Sequence, residues 1–142
     1  MLFTALLLAL VPTVLAKNFA VQLGVGGART FTPNTVMAVP GDTITFTVVS
    51  ANHSSTATRF SGAVCPPPPG GAAGGPNGWD SGFMSDLDGS MPSFTYTVVD
   101  TKPHFAACMQ ANGAHCRAGM VFALNPNSTM TLAQFRANAA AS

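Results

Sequence analysis

Thr43-Ile-Thr-Phe-Thr-Val-Val49 decides the fold class. Ile44, Phe46 and Val48 alternate with Thr43, Thr45 and Thr47, so an extended chain would have one apolar face and one hydroxyl-bearing face. β-Branched and aromatic residues at period two make the pattern of an antiparallel strand half buried against a core. A helix would scatter the same apolar residues around its circumference. Pro40-Gly41-Asp42 supplies a turn just before the strand.

The same punctuation repeats outward from this strand. Asn18 to Val25 alternates and stops at Gly26-Gly27, and Thr35 to Val39 follows the turn Phe31-Thr-Pro33-Asn34. Downstream, Ser93-Phe-Thr-Tyr-Thr-Val-Val99 alternates and Asp100 to Pro103 turns. His104 to Cys108 is a short strand, and Met120 to Leu124 is a closing apolar strand stopped by Asn125-Pro126. Thr131 followed by Gln134 fits a capping box ahead of Phe135, which predicts a short C-terminal helix. Many short strands between Gly/Pro turns predict an all-β fold, a Greek-key sandwich or barrel. Residues 65–78, CPPPPGGAAGGPNG, break the pattern. Four prolines favour an extended rod and the glycines a flexible loop, so this segment is expected to be mobile.

Residues 1–16, MLFTALLLALVPTVLA, form an apolar run too short to span a bilayer and end in a small-residue cleavage pattern. They read as a signal peptide, which leaves residues 17–142 as one domain, large enough to bury a core. No second apolar segment follows, which predicts a secreted monomer with no membrane span, extracellular or associated with the cell wall. Six Lys and Arg against five Asp and no Glu leave little net charge, so nucleic acid and anionic membranes are not expected as partners.

The chemistry concentrates in Cys108-Met-Gln-Ala-Asn-Gly-Ala-His115-Cys116-Arg-Ala-Gly-Met120. Thiol, imidazole and thioether on one loop suit a soft metal ion, and copper is the best fit if a second imidazole joins them. His53, just past the Thr43 strand, is that candidate. Each residue has an ordinary reading too: His53 as a loop residue, His115 as a surface residue, Met120 as core. Their order before a closing strand favours a site. His104 falls on the same strand and face as Cys108 and is assigned a non-ligand role. With three histidines in all, a multicopper cluster is excluded. A Cys/His hydrolase would need a cleft that this small β fold does not announce.

Three cysteines in an exported chain leave one over. Pairing Cys65 with Cys116 would stabilise by about 4 kcal/mol and pairing Cys108 with Cys116 by about 2.5, so energy alone does not choose. Asn52-His53-Ser54 and Asn127-Ser-Thr129 are glycosylation sequons, and Asn127 is the better candidate because Asn52 adjoins the proposed ligand.

Taken together, Phe31-Thr-Pro33, Ala38-Val-Pro-Gly-Asp-Thr-Ile-Thr-Phe46, Asn52-His53-Ser54, Trp79-Asp-Ser-Gly-Phe83, Thr101-Lys-Pro103, Cys108, His115-Cys116, Gly119 to Pro126 and the Phe135 helix resemble the cupredoxins, in particular the extracellular plastocyanin-like proteins of fungi. The resemblance covers nearly all of residues 17–142. It implies copper ligands at His53, Cys108, His115 and Met120, one type 1 copper, a Cys65–Cys116 disulfide, and one-electron exchange with a redox partner protein rather than enzymatic turnover. Small Gly113 and Ala114 beside His115 are expected to let that partner approach. Departures from the family pattern include Phe105-Ala106-Ala107, which lacks aromatic residues next to Cys108, the six residues between Cys108 and His115, and the Pro/Gly insert after Cys65. The competing readings are a module for copper sequestration or delivery and a metal-free glycosylated surface protein.

Overall fold

A computed structural model describes residues 11–142, so most of the expected signal peptide, residues 1–10, lies outside the described residues. Two four-stranded sheets face each other. The first has the order β2-β1-β4-β8, with β1 at Asn18–Leu23, β2 at Phe31–Thr32, β4 at Thr43–Val48 and β8 at Ser93–Thr97. The second has the order β3-β10-β9-β6, with β3 at Thr35–Val36, β6 at Thr56–Thr58, β9 at His104–Ala107 and β10 at Val121–Leu124. β5 (Asn52–His53) pairs with β7 (Met84–Ser85) apart from both. α1 (Ala114–Arg117) interrupts the loop between β9 and β10, and α2 (Leu132–Ala140) ends the fold. The sheets stay separate, so the fold is a sandwich and not a closed barrel.

β4 takes the predicted form, with Ile44, Phe46 and Val48 fully buried and its threonines on the outer face. It pairs parallel with β1 over six residues and antiparallel with β8. Across the core, Val36, Ala106, Cys108, Phe122 and Leu124 meet these side chains. Phe46 sits edge-on to Phe122, with ring centroids 5.2 Å apart, and stacks on Trp79 at 5.9 Å.

The second sheet is buried on both faces. Phe105, Ala107, Val121 and Ala123 point away from β4 and are covered by Val64, Phe135, Ala139 and the Cys65–Cys116 disulfide. That double burial is why β9 and β10 read as continuous apolar runs without alternation. The capping box forms as expected, with Gln134 N–H donating to Thr131 Oγ1 and Thr131 N–H to Gln134 Oε1, both at 3.1 Å.

Residues 65–78 depart from the expectation of mobility. Pro67 and Gly71 are buried, and the glycines bend the chain onto the sheet. Gly74 N–H donates to Gly71 O and Gly78 N–H to Gly75 O, each at 3.0 Å. Gly70 N–H donates to Asp80 Oδ2 at 2.6 Å. Gly71 packs on the Trp79 backbone and Gly74 on Ala57 at distances that leave no room for a side chain. Absent side chains here serve close packing. β3 is also shorter than predicted, because Ala38 leaves the sheet to exchange two hydrogen bonds with the Asn125 side chain.

Candidate metal centre

Three elements bring the site together at one end of the sandwich. His53 enters on β5, paired with Met84. Cys108 follows β9 on the inward-facing register of Ala106. His115 lies in α1. Cys108 Sγ is 3.8 Å from His53 Nδ1 and 3.7 Å from His115 Nδ1, and the two Nδ1 atoms are 3.3 Å apart. Three atoms so spaced share a point about 2.1 Å from each, the length of a metal–nitrogen bond and a little short of a metal–sulfur bond. Among the described residues these form the group of three His, Cys, Asp or Glu side chains able to share an ion.

Met120 is fully buried in the core cluster that holds Cys108. Its backbone closes the loop: Met120 N–H donates to His115 O at 3.0 Å and accepts, through its carbonyl, Cys108 N–H at 3.2 Å. The fourth predicted ligand is thus tied to two of the others. His104 stands apart, with Nε2 2.8 Å from Asp100 Oδ1 and its ring against Trp79.

The six residues between Cys108 and His115 are accommodated by a left-handed run, Ala111, Asn112 and Gly113, at φ 55°, 51° and 84°. Gly113 is buried, and a Cβ on it would lie 2.8 Å from Pro66 N. Its smallness serves packing, while Ala114 alone of the pair is exposed beside half-buried His115. Cys116 follows His115 directly and bonds to Cys65, with Cα atoms 5.8 Å apart. Cys108 remains the free thiol. Arg117 adds a second tie, donating to Cys65 O, Asn112 O and Ser142 O.

Burial raises the Cys108 thiol pKa, and the N–H groups of Gln110 and Ser54, each 3.4 Å from Sγ, oppose that rise by stabilising the thiolate. Burial, followed by the nearby His115, lowers the His53 pKa to about 4. Burial and then Arg29 lower that of His115. Both imidazoles are therefore neutral at pH 7, the state in which nitrogen can bind a metal. His53 Nε2 is buried without a hydrogen-bond partner against Gly24, where a Cβ would lie 2.9 Å away.

Ser54 is a further residue of the site that its local sequence does not mark. Its N–H contacts the Cys108 sulfur, and its hydroxyl accepts from Met109 N–H at 2.9 Å and donates to Thr56 Oγ1 at 3.0 Å. Thr56 Oγ1 also reaches Asp80 Oδ1 at 2.9 Å, and Asp80 accepts from Gly70 and Gly82. The only available signals were the position of Ser54 after His53 and the Trp79-Asp-Ser-Gly-Phe83 stretch. Asn52 is half-buried, and its sequon hydroxyl is the enclosed Ser54 group, whereas Asn127 is exposed.

No protein-family model matches the chain. A probable GPI-anchored cupredoxin of Arthroderma benhamiae is 28% identical over 121 residues, 85% of this chain and 58% of that protein. An extracellular serine-rich protein of the same organism is 30% identical over 122 residues, 85% of this chain and 44% of that protein. The chain spans about half the length of these curated relatives. Among solved structures, plastocyanin from Dryopteris crassirhizoma superposes with a TM-score of 0.52 at 22% identity, covering 74% of this chain and 96% of that one. A pseudoazurin from Methylobacterium extorquens gives a TM-score of 0.50 at 17% identity, covering 84% and 82%. The sandwich, its converging His, Cys and His side chains and these likenesses make the chain a cupredoxin in fold.

Proposed function

We propose that the protein is a secreted one-electron carrier holding one type 1 copper through His53, Cys108, His115 and Met120. The convergence of three donor atoms from β5, the end of β9 and α1 within 4.8 Å carries the reading. The donor set fits the metal: two neutral imidazoles serve either oxidation state, the thiolate favours Cu(I), and a thioether adds a weak fourth ligand. Copper bound there would supply one redox equivalent by cycling between Cu(II) and Cu(I). The chain's part is to hold the donors still, so that either state finds nearly the same geometry. Ser54 and Gln110 direct N–H groups at the sulfur, the disulfide and Arg117 hold α1, and Met120 is buried in the same core cluster as Cys108. Half-buried His115 is the proposed exit for the electron.

The names of the relatives, one GPI-anchored and one extracellular, support export. No helix among the described residues is long and apolar enough to cross a membrane. We assign residues 1–16 as the signal peptide, 17–142 as the domain and exposed Asn127 as the site open to glycosylation. The test is the visible spectrum after adding Cu(II) to the disulfide-intact protein and to its Cys108→Ala variant. An intense band lost in the variant is expected. No band, with Cys108 reacting as a free thiol, overturns the reading.

A further inference from the structure

The start of β1 makes a contact whose chemistry would change if the chain were cut beside it. Lys17 N–H donates to Asp42 Oδ1 at 2.8 Å, and Val39 N–H donates to Oδ2 at 3.0 Å. With residues 11–16 in place Asp42 is only 3% exposed, and the groups that bond its carboxylate are two neutral amides, the Lys17 side chain adding a weaker charge from farther off. Such a group gains most from a full positive charge at hydrogen-bond distance. Residues 11–16 are exposed without helix or strand, Val14 at 82% and Leu15 at 85%. Regular structure begins only at Asn18.

We propose that cleavage between Ala16 and Lys17 creates an α-ammonium that pairs with Asp42, so that maturation locks the start of β1 to the turn before β4. The proposal rests on the export reading above. Water hydrolyses the Ala16–Lys17 peptide bond, Ala16 leaves with the new carboxylate, and Lys17 keeps the new amine, protonated at neutral pH. The nitrogen that becomes charged is the one already 2.8 Å from the carboxylate. No rearrangement is needed. Lys17 is exposed, so the other ammonium hydrogens stay hydrated and the pair avoids much of the desolvation cost of a buried one. Lys17 O also accepts Thr43 N–H at 2.8 Å, which places the lock at the first rung of the six-residue β1–β4 ladder. The far end of that ladder leads into Gly24 and Ser50, behind His53. Lys17 and Asp42 are the titratable residues lining the cleft around the contact.

The test compares disulfide-intact chains beginning at Lys17 or at Ala16, each with Asp42 and with Asp42→Asn, by denaturant unfolding. One added residue restores the neutral amide and moves the charge a residue away. In the Lys17 chain, Asp42→Asn is expected to lower the folding constant about tenfold more than in the Ala16 chain. Equal losses overturn the ion pair. If the Asn variants do not fold, the two parent chains decide it through pH. The pair raises the ammonium pKa above its usual value of about 8, so the Lys17 chain should lose stability relative to the Ala16 chain as pH rises through that raised value. Parallel curves from about pH 7 to 10 overturn the proposal. Mass spectrometry of the exported protein tests the cleavage separately. A mature N-terminus elsewhere overturns the maturation step even if a recombinant Lys17 chain forms the pair, and the copper spectrum depends on neither result.

Discussion

The two faces of the β3-β10-β9-β6 sheet are both buried, by different means. The inner face meets β4 across the sandwich, and packing alone closes it: Phe122 lies against Phe46, and Leu124 and Ala106 share one buried cluster with Ile44 and Val48. The outer face is covered by α2 and by a disulfide that staples residues 65–78 to α1. The candidate ligands divide along the same line. Cys108 and Met120 belong to the inner cluster, while His115 is held through its neighbour Cys116 in the outer one. The thiolate and thioether are placed by shape, and the imidazole by a covalent tie.

Cutting that tie is the sharpest way to break the comparison. Replacing Cys65 and Cys116 together with Ala is expected to cost about 4 kcal/mol, the chain-entropy value for a loop of this separation. Copper affinity should also fall by about tenfold or more, the loss typical when support behind a ligand is removed. Phe46→Leu, a change confined to the inner cluster, should cost about 2 kcal/mol through lost ring volume and aromatic contacts and leave the visible band in place. Denaturant curves and copper titrations of both variants check the contrast. Equal loss of affinity would mean that His115 is not held from the outer side.

A second contrast lies between the two imidazoles and the unfolded chain. In metal-free protein His53 has its pKa lowered to about 4, so the unfolded state binds more protons between about pH 6.5 and 4. This contribution to stability is complete above pH 6.5 and is lost as the pH falls toward 4, with a limiting slope of about 1.4 kcal/mol per pH unit for one proton. Lowered His115 acts in the same direction. His53→Gln should flatten the slope measured by denaturant unfolding across that window. An unchanged slope would place the buried proton-excluding group elsewhere.

Legibility followed the same inner and outer division. β4, β1 and β8 alternate because one face of their sheet is open to water, so period two survives in the sequence. β6 does not, since Thr56, Ala57 and Thr58 are all buried, and it passed unnoticed. The ligand set was readable because thiol, imidazole and thioether have few reasons to share one loop. The order in residues 65–78 was not, because it depends on Trp79, Ala57 and Asp80, none of which is identifiable as a partner from local composition. α1 was hidden for a similar reason: its four residues follow a left-handed run that no periodicity marks.

A smaller effect should come from the hydroxyl network behind the sulfur. Thr56→Val keeps shape but removes the bonds to Ser54 and Asp80, leaving the carboxylate short of a donor and the Ser54 hydroxyl short of an acceptor. A cost of about 1–2 kcal/mol is expected, with a shift of the copper–thiolate band as Ser54 relaxes. Thr45→Val, on the open face where Thr45 Oγ1 meets Thr95 Oγ1, should change stability by less than about 0.5 kcal/mol and the band not at all. Identical spectra for the two variants would show that the network is merely structural.

An equally small change in stability is expected at Ala114. It is exposed on α1 beside His115, close to a shallow groove lined by Pro66, Pro69, Phe83 and Met109. Ala114→Gln retains a good helix former and should leave stability within about 0.5 kcal/mol and the visible band unchanged. If the electron leaves through the edge of His115, the added side chain must separate it from a protein partner, which approaches with a broad surface. A small complex ion can still reach the ring from the side. Electron exchange with a protein partner should therefore slow several-fold while exchange with ferricyanide stays near the parent rate. Equal rates with both would move the exit away from His115, onto a part of the surface that α1 does not control.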